Sequence, residues 1–123
     1  MKPLLILTLL ATSAGASAMS AGEYVAKAGD CSACHTSPEG QALAGGMRFA
    51  TPLGDIYATN ITPDKKYGIG SYSFDDFDKA MRKGVAKDGH HLYPAMPYTS
   101  YAKMTPEDMR ALYDYLMTEV KPQ

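Results

Sequence analysis

The chain lacks an excess of either charge. Its 12 Lys and Arg stand against 13 Asp and Glu, a formal net of −1, without the basic surplus that holds a nucleic-acid phosphate backbone. No nucleic-acid partner is expected. Beyond the first 18 residues, no apolar run approaches the length of a membrane span, which excludes a transmembrane segment in the remainder. No stretch shows a sustained alternation of apolar and polar residues, and no internal repeat or low-complexity tract is present. With 123 residues the chain is too short for a multidomain enzyme. Cysteine is down to 2, whereas 11 Gly and 8 Pro demand many turns. A small, loop-rich domain of this kind needs a staple.

The one apolar run present, at the start, reads as a secretory signal. Met1-Lys2 supplies the positive end, Leu4 to Leu10 the apolar stretch and Ala16-Ser17-Ala18 an A-x-A cleavage site. Residues 1–18 are therefore expected to be removed before Met19, with Ala14-Gly15-Ala16 as a second site, leaving residues 19–123 as an exported, periplasmic, mildly acidic domain. Three capped segments organise that domain. Ser20-Ala21-Gly22-Glu23 is a capping box opening a first helix, predicted from about Ala21 toward Cys34. Ser73-Phe74-Asp75-Asp76 opens a second, with Phe74, Phe77, Ala80, Met81 and Val85 at helical spacing and Gly84 near the stop. Thr105-Pro106-Glu107-Asp108 opens a third, with Met109, Leu112, Tyr113, Leu116 and Val120 in one stripe. Between them, Thr36 to Tyr72 and Lys87 to Met104 read as irregular chain.

A loop as long as Thr36 to Tyr72 argues against the element assignment unless it wraps something. Cys31-Ser32-Ala33-Cys34-His35 supplies the object: it is the C-x-x-C-H pattern of covalent c-type haem attachment. Two thiols at helical i, i+3 spacing face one side of the chain and suit the two haem vinyl groups, and His35 follows directly as a proximal iron ligand. A thioredoxin-like C-x-x-C needs a βαβ context that is missing, structural zinc needs further ligands, and an exported disulfide needs no His. For the other face of the iron, Met96 leads, because Tyr93-Pro94-Ala95-Met96-Pro97-Tyr98 sets it in a loop stiffened by two prolines. Met104 comes second and His91 third; Met81, Met109 and Met117 read as core filler and Met47 follows His35 too closely. The rival role for Met96 is packing against the ring. Haem propionates need hydrogen-bond donors, and Arg48, Tyr57, Thr59 and Asn60 offer them in one segment, two of the four being expected to serve. Lys79, Arg82, Lys83 and Lys87 form a basic cluster that either steers an acidic partner or answers the helix macrodipole. His90 and His91, beside Gly89, are expected to be exposed.

Several stretches resemble class I c-type cytochromes, in particular one unit of the periplasmic cytochrome subunits that serve membrane-bound alcohol, gluconate and aldehyde dehydrogenases. They are Ala28 to His35, Gly45-Gly46, Thr51-Pro52-Leu53-Gly54, Thr59 to Asp64, Gly68-Ile69-Gly70, Gly84-Val85 and Tyr93 to Tyr98. The resemblance covers Glu23 to Leu116 and implies an all-α class I cytochrome c fold, about three main helices and long loops wrapping one covalent haem c. It also implies His35/Met96 ligation and single-electron transfer from a periplasmic or membrane-bound dehydrogenase to a downstream cytochrome or terminal oxidase. Two departures stand out: such subunits usually carry three haem domains where this sequence carries one, and Tyr72 stands where many relatives have Trp. A second class of function, a small haem enzyme of the peroxidase kind or a gas sensor, needs an open or labile sixth position and a polar distal group, for which His91 is the candidate.

Overall fold

A computed structural model describes residues 17–123, so the expected signal, residues 1–18, lies almost wholly outside the described residues. Seven elements follow in order: α1 (Ala21–Ala28), α2 (Cys31–His35), β1 (Arg48–Thr51), β2 (Gly54–Tyr57), α3 (Phe74–Lys83), α4 (Tyr98–Tyr101) and α5 (Pro106–Thr118). The three longer helices start where the capping residues put them. Ser20 Oγ accepts from the Glu23 N–H at 3.1 Å, and Thr105 Oγ1 accepts from the Asp108 N–H at 3.1 Å with Pro106 in the first turn. At α3 the box is reciprocal, Ser73 Oγ accepting from Asp76 N–H and the Asp76 carboxylate accepting from Ser73 N–H at 3.0 Å. Gly84 ends α3 in the left-handed conformation, φ 64°.

Two expectations are corrected. The first helix does not run to Cys34: Gly29 closes α1 by donating its N–H to the Val25 carbonyl, and Asp30 sits left-handed at φ 55° before α2 begins. Aspartate is among the few non-glycine residues that tolerate this conformation, and a single such residue ends one helical ladder and starts another. The second correction lies in Thr36 to Tyr72, where β1 and β2 pair antiparallel with Phe49 opposite Ile56. Of the four cross-strand pairs it alone has both members half-buried, and strands of four residues offer no alternation long enough to detect. The turn is formed by Thr51-Pro52-Leu53-Gly54: Thr51 Oγ1 donates to the Gly54 carbonyl at 2.6 Å and accepts from the Leu53 N–H.

The core lies where α1 packs on α5 and α3 closes beside them. Met109, Leu112 and Leu116, spaced at three and four residues on one face of α5, are almost fully enclosed, and Ala26, Phe77 and Met81 meet them from α1 and α3. Phe74 and Phe77 abut the Tyr113 ring at centroid distances of 5.5 and 5.4 Å. The approach of α1 to α5 requires Gly22, since a β-carbon there would stand 2.1 Å from the Ala111 carbonyl oxygen and 2.4 Å from Tyr115 Cβ. Both obstacles belong to backbone or to a β-carbon, so no rotamer change relieves them. Gly22→Ala is therefore expected to cost about 2 kcal/mol or more through forced separation of the helices, read as a lowered urea midpoint of the haem-loaded protein with little change in slope.

Candidate functional site

The C-x-x-C-H segment is α2 itself. Cys31 is buried and Cys34 half-buried, and no disulfide joins them. Burial pushes the Cys31 thiol up to about 11, the opposite of the depressed value that activates the attacking thiol of a redox C-x-x-C. Among the described residues no group of three or more His, Cys, Asp or Glu is placed to hold a metal ion, so the cysteine pair has no partners for a zinc site of the usual kind.

His35 is oriented by the chain 24 residues ahead of it. Its Nδ1 lies 2.7 Å from the Thr59 carbonyl oxygen. A carbonyl only accepts, so Nδ1 carries the proton and Nε2 keeps its lone pair, the tautomer an iron ligand needs. Burial lowers the His35 pKa, against a smaller raising effect of the Thr59 carbonyl, which keeps the ring neutral at neutral pH. The segment after His35 is tied back as well: the Gly45 N–H donates to the His35 carbonyl at 2.7 Å and the Leu43 N–H to Thr36 Oγ1 at 3.0 Å.

Cys31, Cys34 and His35 open onto a cavity of about 190 Å³ whose wall is mainly apolar and includes Ile61, Ile69, Phe77, Leu112 and Leu116. Met96 lines the same cavity, half-buried in its proline-flanked loop. Of the other methionines among the described residues, only Met81 joins it, from the buried face of α3; Met104 lies instead in a separate groove between α3 and the start of α5. His91 is exposed and outside the cavity wall, and the exposed His90 faces Asp88 at 2.5 Å. Two thiols, an imidazole with free Nε2, a thioether and apolar walls form the donor set and surroundings that a covalently attached haem requires.

The four propionate candidates separate. Tyr57 and Thr59 line the cavity. Arg48 turns instead along the hairpin to Asp55, Nε to Oδ2 at 2.7 Å. Asn60 Oδ1 accepts from the Thr62 N–H and hydroxyl at 2.8 and 2.7 Å, and its amide donates to the Gln123 carbonyl at 2.9 Å, so it fastens the C-terminal residues. Tyr72 also borders the cavity, and its hydroxyl accepts from the Lys87 N–H at 3.4 Å.

The chain matches the model of the cytochrome c family over residues 19–119. It belongs to the cytochrome c family. With Cys31, Cys34 and His35 in the attachment pattern, that membership assigns it one covalent haem c. Among curated proteins it is 64% identical over 101 residues to the gluconate 2-dehydrogenase cytochrome c subunit of Pantoea cypripedii. It is 60% identical to the cytochrome c subunit of alcohol dehydrogenase (quinone) from Gluconacetobacter polyoxogenes. It is 55% identical to the fructose dehydrogenase cytochrome subunit of Gluconobacter japonicus. These alignments cover 82–85% of this chain but only 22–23% of each relative. No helix among the described residues is long and apolar enough to cross a membrane.

The basic cluster on this cytochrome domain is partly committed to internal bonds, which the sequence did not disclose. Arg82 pairs with Asp78 at 2.7 Å and donates to the Ala102 and Met104 carbonyls at 2.8 and 2.9 Å. Lys87 bonds the Ser71 carbonyl and faces Asp76. Lys79 and Lys83 remain exposed. Arg82→Gln is accordingly expected to lower stability by about 2 kcal/mol, the scale of lost charge-assisted hydrogen bonds, and Lys83→Gln to change it by less than about 0.5 kcal/mol. Chemical denaturation of the two variants side by side checks the contrast.

Proposed function

We propose that this cytochrome is a periplasmic monohaem electron carrier or carrier domain that accepts single electrons from a membrane-bound dehydrogenase and passes them to a downstream cytochrome or terminal oxidase. The observation that carries this reading is one apolar cavity bordered both by the Cys31–His35 attachment segment and by Met96. The haem, when bound, supplies reversible one-electron exchange at its iron. The chain's own residues do the rest. His35 is held with Nε2 presented by the Thr59 carbonyl, Met96 is the proposed distal ligand, and the apolar walls exclude water around the site. Tyr57 and Thr59 are the proposed propionate contacts, since both reach the cavity.

The relatives that are cytochrome subunits of gluconate, alcohol and fructose dehydrogenases support a dehydrogenase as electron donor. Residues 1–18 as a removed export signal supply the route to the periplasm, where such haem attachment and such donors meet. The enzyme or sensor reading needs an open or labile sixth position and a polar distal group, and His91, the candidate for that group, is not among the residues that line the cavity.

The protein exported with the haem-attachment machinery is expected to show, in its ferric spectrum at neutral pH, the weak far-red band of a methionine sulfur on iron. Met96→Ala is expected to abolish the band, lower the reduction potential and admit added ligands, with Met104→Ala leaving all three unchanged. A larger effect at Met104 would overturn the ligand assignment. Reduction of the ferric protein by dehydrogenase-containing membranes supplied with gluconate or ethanol tests the carrier role. Peroxide turnover at the rate of a dedicated peroxidase, with no reduction by either membrane system, would overturn it.

A further inference from the structure

The proposed ligand Met96 and the attachment segment sit on parts of the chain that share no secondary structure, so their separation is set by whatever ties those parts together. Tyr101 makes such a tie. Its hydroxyl donates to the Gly29 carbonyl at 2.7 Å, across 72 residues. The Tyr101 ring also lies against Gly29, with Cε1 3.6 Å from where a β-carbon would be, and it lines the haem cavity. On one side of this bond, Gly29 is the cap of α1 and precedes the left-handed Asp30 from which Cys31 to His35 start. On the other, Tyr101 is the last residue of α4, a single helical turn capped by Pro97, the residue next to Met96. One hydrogen bond thus joins a residue two before Cys31 to a residue five after Met96. Burial pushes the Tyr101 phenol up to about 12, so the donor stays protonated throughout the neutral range.

We propose that Tyr101 is a positioning residue for haem ligation: its hydroxyl bond to the Gly29 carbonyl fixes the Met96 loop against the attachment segment and so holds Met96 on the iron. The inference rests on Met96 as distal ligand. It differs from general structural support because the chain carries a comparable bond elsewhere. Tyr113 on α5 donates to the Tyr72 carbonyl at 2.8 Å, equally part-buried, and ties neither ligand-bearing segment.

The test uses the exported holoprotein in four forms: wild type, Tyr101→Phe, Tyr113→Phe and Met96→Ala. Ferric samples are titrated with imidazole, which occupies the iron only when the sulfur leaves, and the far-red band and urea stability are recorded for each. Tyr101→Phe is expected to bind imidazole about tenfold more tightly than wild type, the effect of about 1.4 kcal/mol and of the order of one buried hydrogen bond. Tyr113→Phe is expected to lose similar urea stability while keeping the wild-type imidazole affinity. Loss of the far-red band in Tyr101→Phe without imidazole would be the same result in stronger form. Unchanged or weaker imidazole binding in Tyr101→Phe overturns the proposal, as does an equal shift in both tyrosine variants. A far-red band that survives Met96→Ala overturns the ligand assignment instead, and the positioning role with it.

Discussion

Everything at the site hangs from the close approach of α1 to α5 at Gly22. With a β-carbon position only 2.1 Å from the Ala111 carbonyl, the two backbones meet directly, and the sealed row of Met109, Leu112 and Leu116 is pressed onto α1 and α3. That contact fixes more than a core. Helix α1 leads through Gly29 and Asp30 into the attachment segment, and α5 is entered from the loop that carries Met96 and from α4. One helix pair therefore places both walls of the haem site, although the chain between them wanders for most of the sequence.

Outside the hairpin and α3, that chain is held by particular hydrogen bonds rather than by regular structure. Ordering a loop of that length carries a large entropic cost, and the structure meets it at a few fixed points. Gly45 bonds back to His35, Ile61 N–H donates to the Leu43 carbonyl, and Ile69 N–H to the Thr62 carbonyl. Thr62 is fully enclosed, yet its hydroxyl donates to Asn60 Oδ1 and accepts from the Gln123 N–H. Among the described residues no buried side-chain nitrogen or oxygen lacks a partner, so no buried side chain adds an unpaired polar group to that cost. The Thr59 carbonyl that orients His35 is the functional product of this arrangement, since the loop must be in register at residue 59 for the imidazole to present Nε2.

Local chemistry was legible in the sequence and distant pairing was not. Ser73 with Asp76, and Thr105 with Pro106, announce helix starts because capping is settled within three residues. Cys31, Cys34 and His35 are equally local. By contrast, the break at Asp30 is a single backbone conformation with no periodic trace, and the hairpin has strands of four residues with one pair half-buried on both strands. Arg48 and Asn60 looked alike as hydrogen-bond donors, but their partners are Asp55 across the hairpin and Gln123 at the far end of the chain. No pattern of neighbours indicates which donors will be satisfied before a haem arrives. Arg82 shows the same limit: as a residue near a helix C-terminus it suggests dipole compensation, whereas its guanidinium in fact reaches the Ala102 and Met104 carbonyls.

Those two carbonyls explain how a short irregular loop can keep one geometry. Between Lys87 and Met104 the chain has only the single turn of α4, and within it Met96 is braced by its own N–H donating to the Tyr93 carbonyl and its carbonyl accepting from the Tyr98 N–H. Such internal bonds would not by themselves resist a shift of the whole segment. Beside the Tyr101–Gly29 bond, restraint comes from α3: Arg82 grips the far end, and the ring of Tyr98 lies over Gly84, 2.6 Å from any β-carbon placed there. Gly84 thus serves twice, ending α3 in a left-handed conformation and leaving the space in which Tyr98 seats. Because α3 in turn packs through Phe77 and Met81 onto the α5 core, the Met96 loop inherits the rigidity of the helix pair. The proposed role, in which the iron changes charge while His35 and Met96 stay in place, calls for that kind of support, in which the site is stiff because its surroundings are.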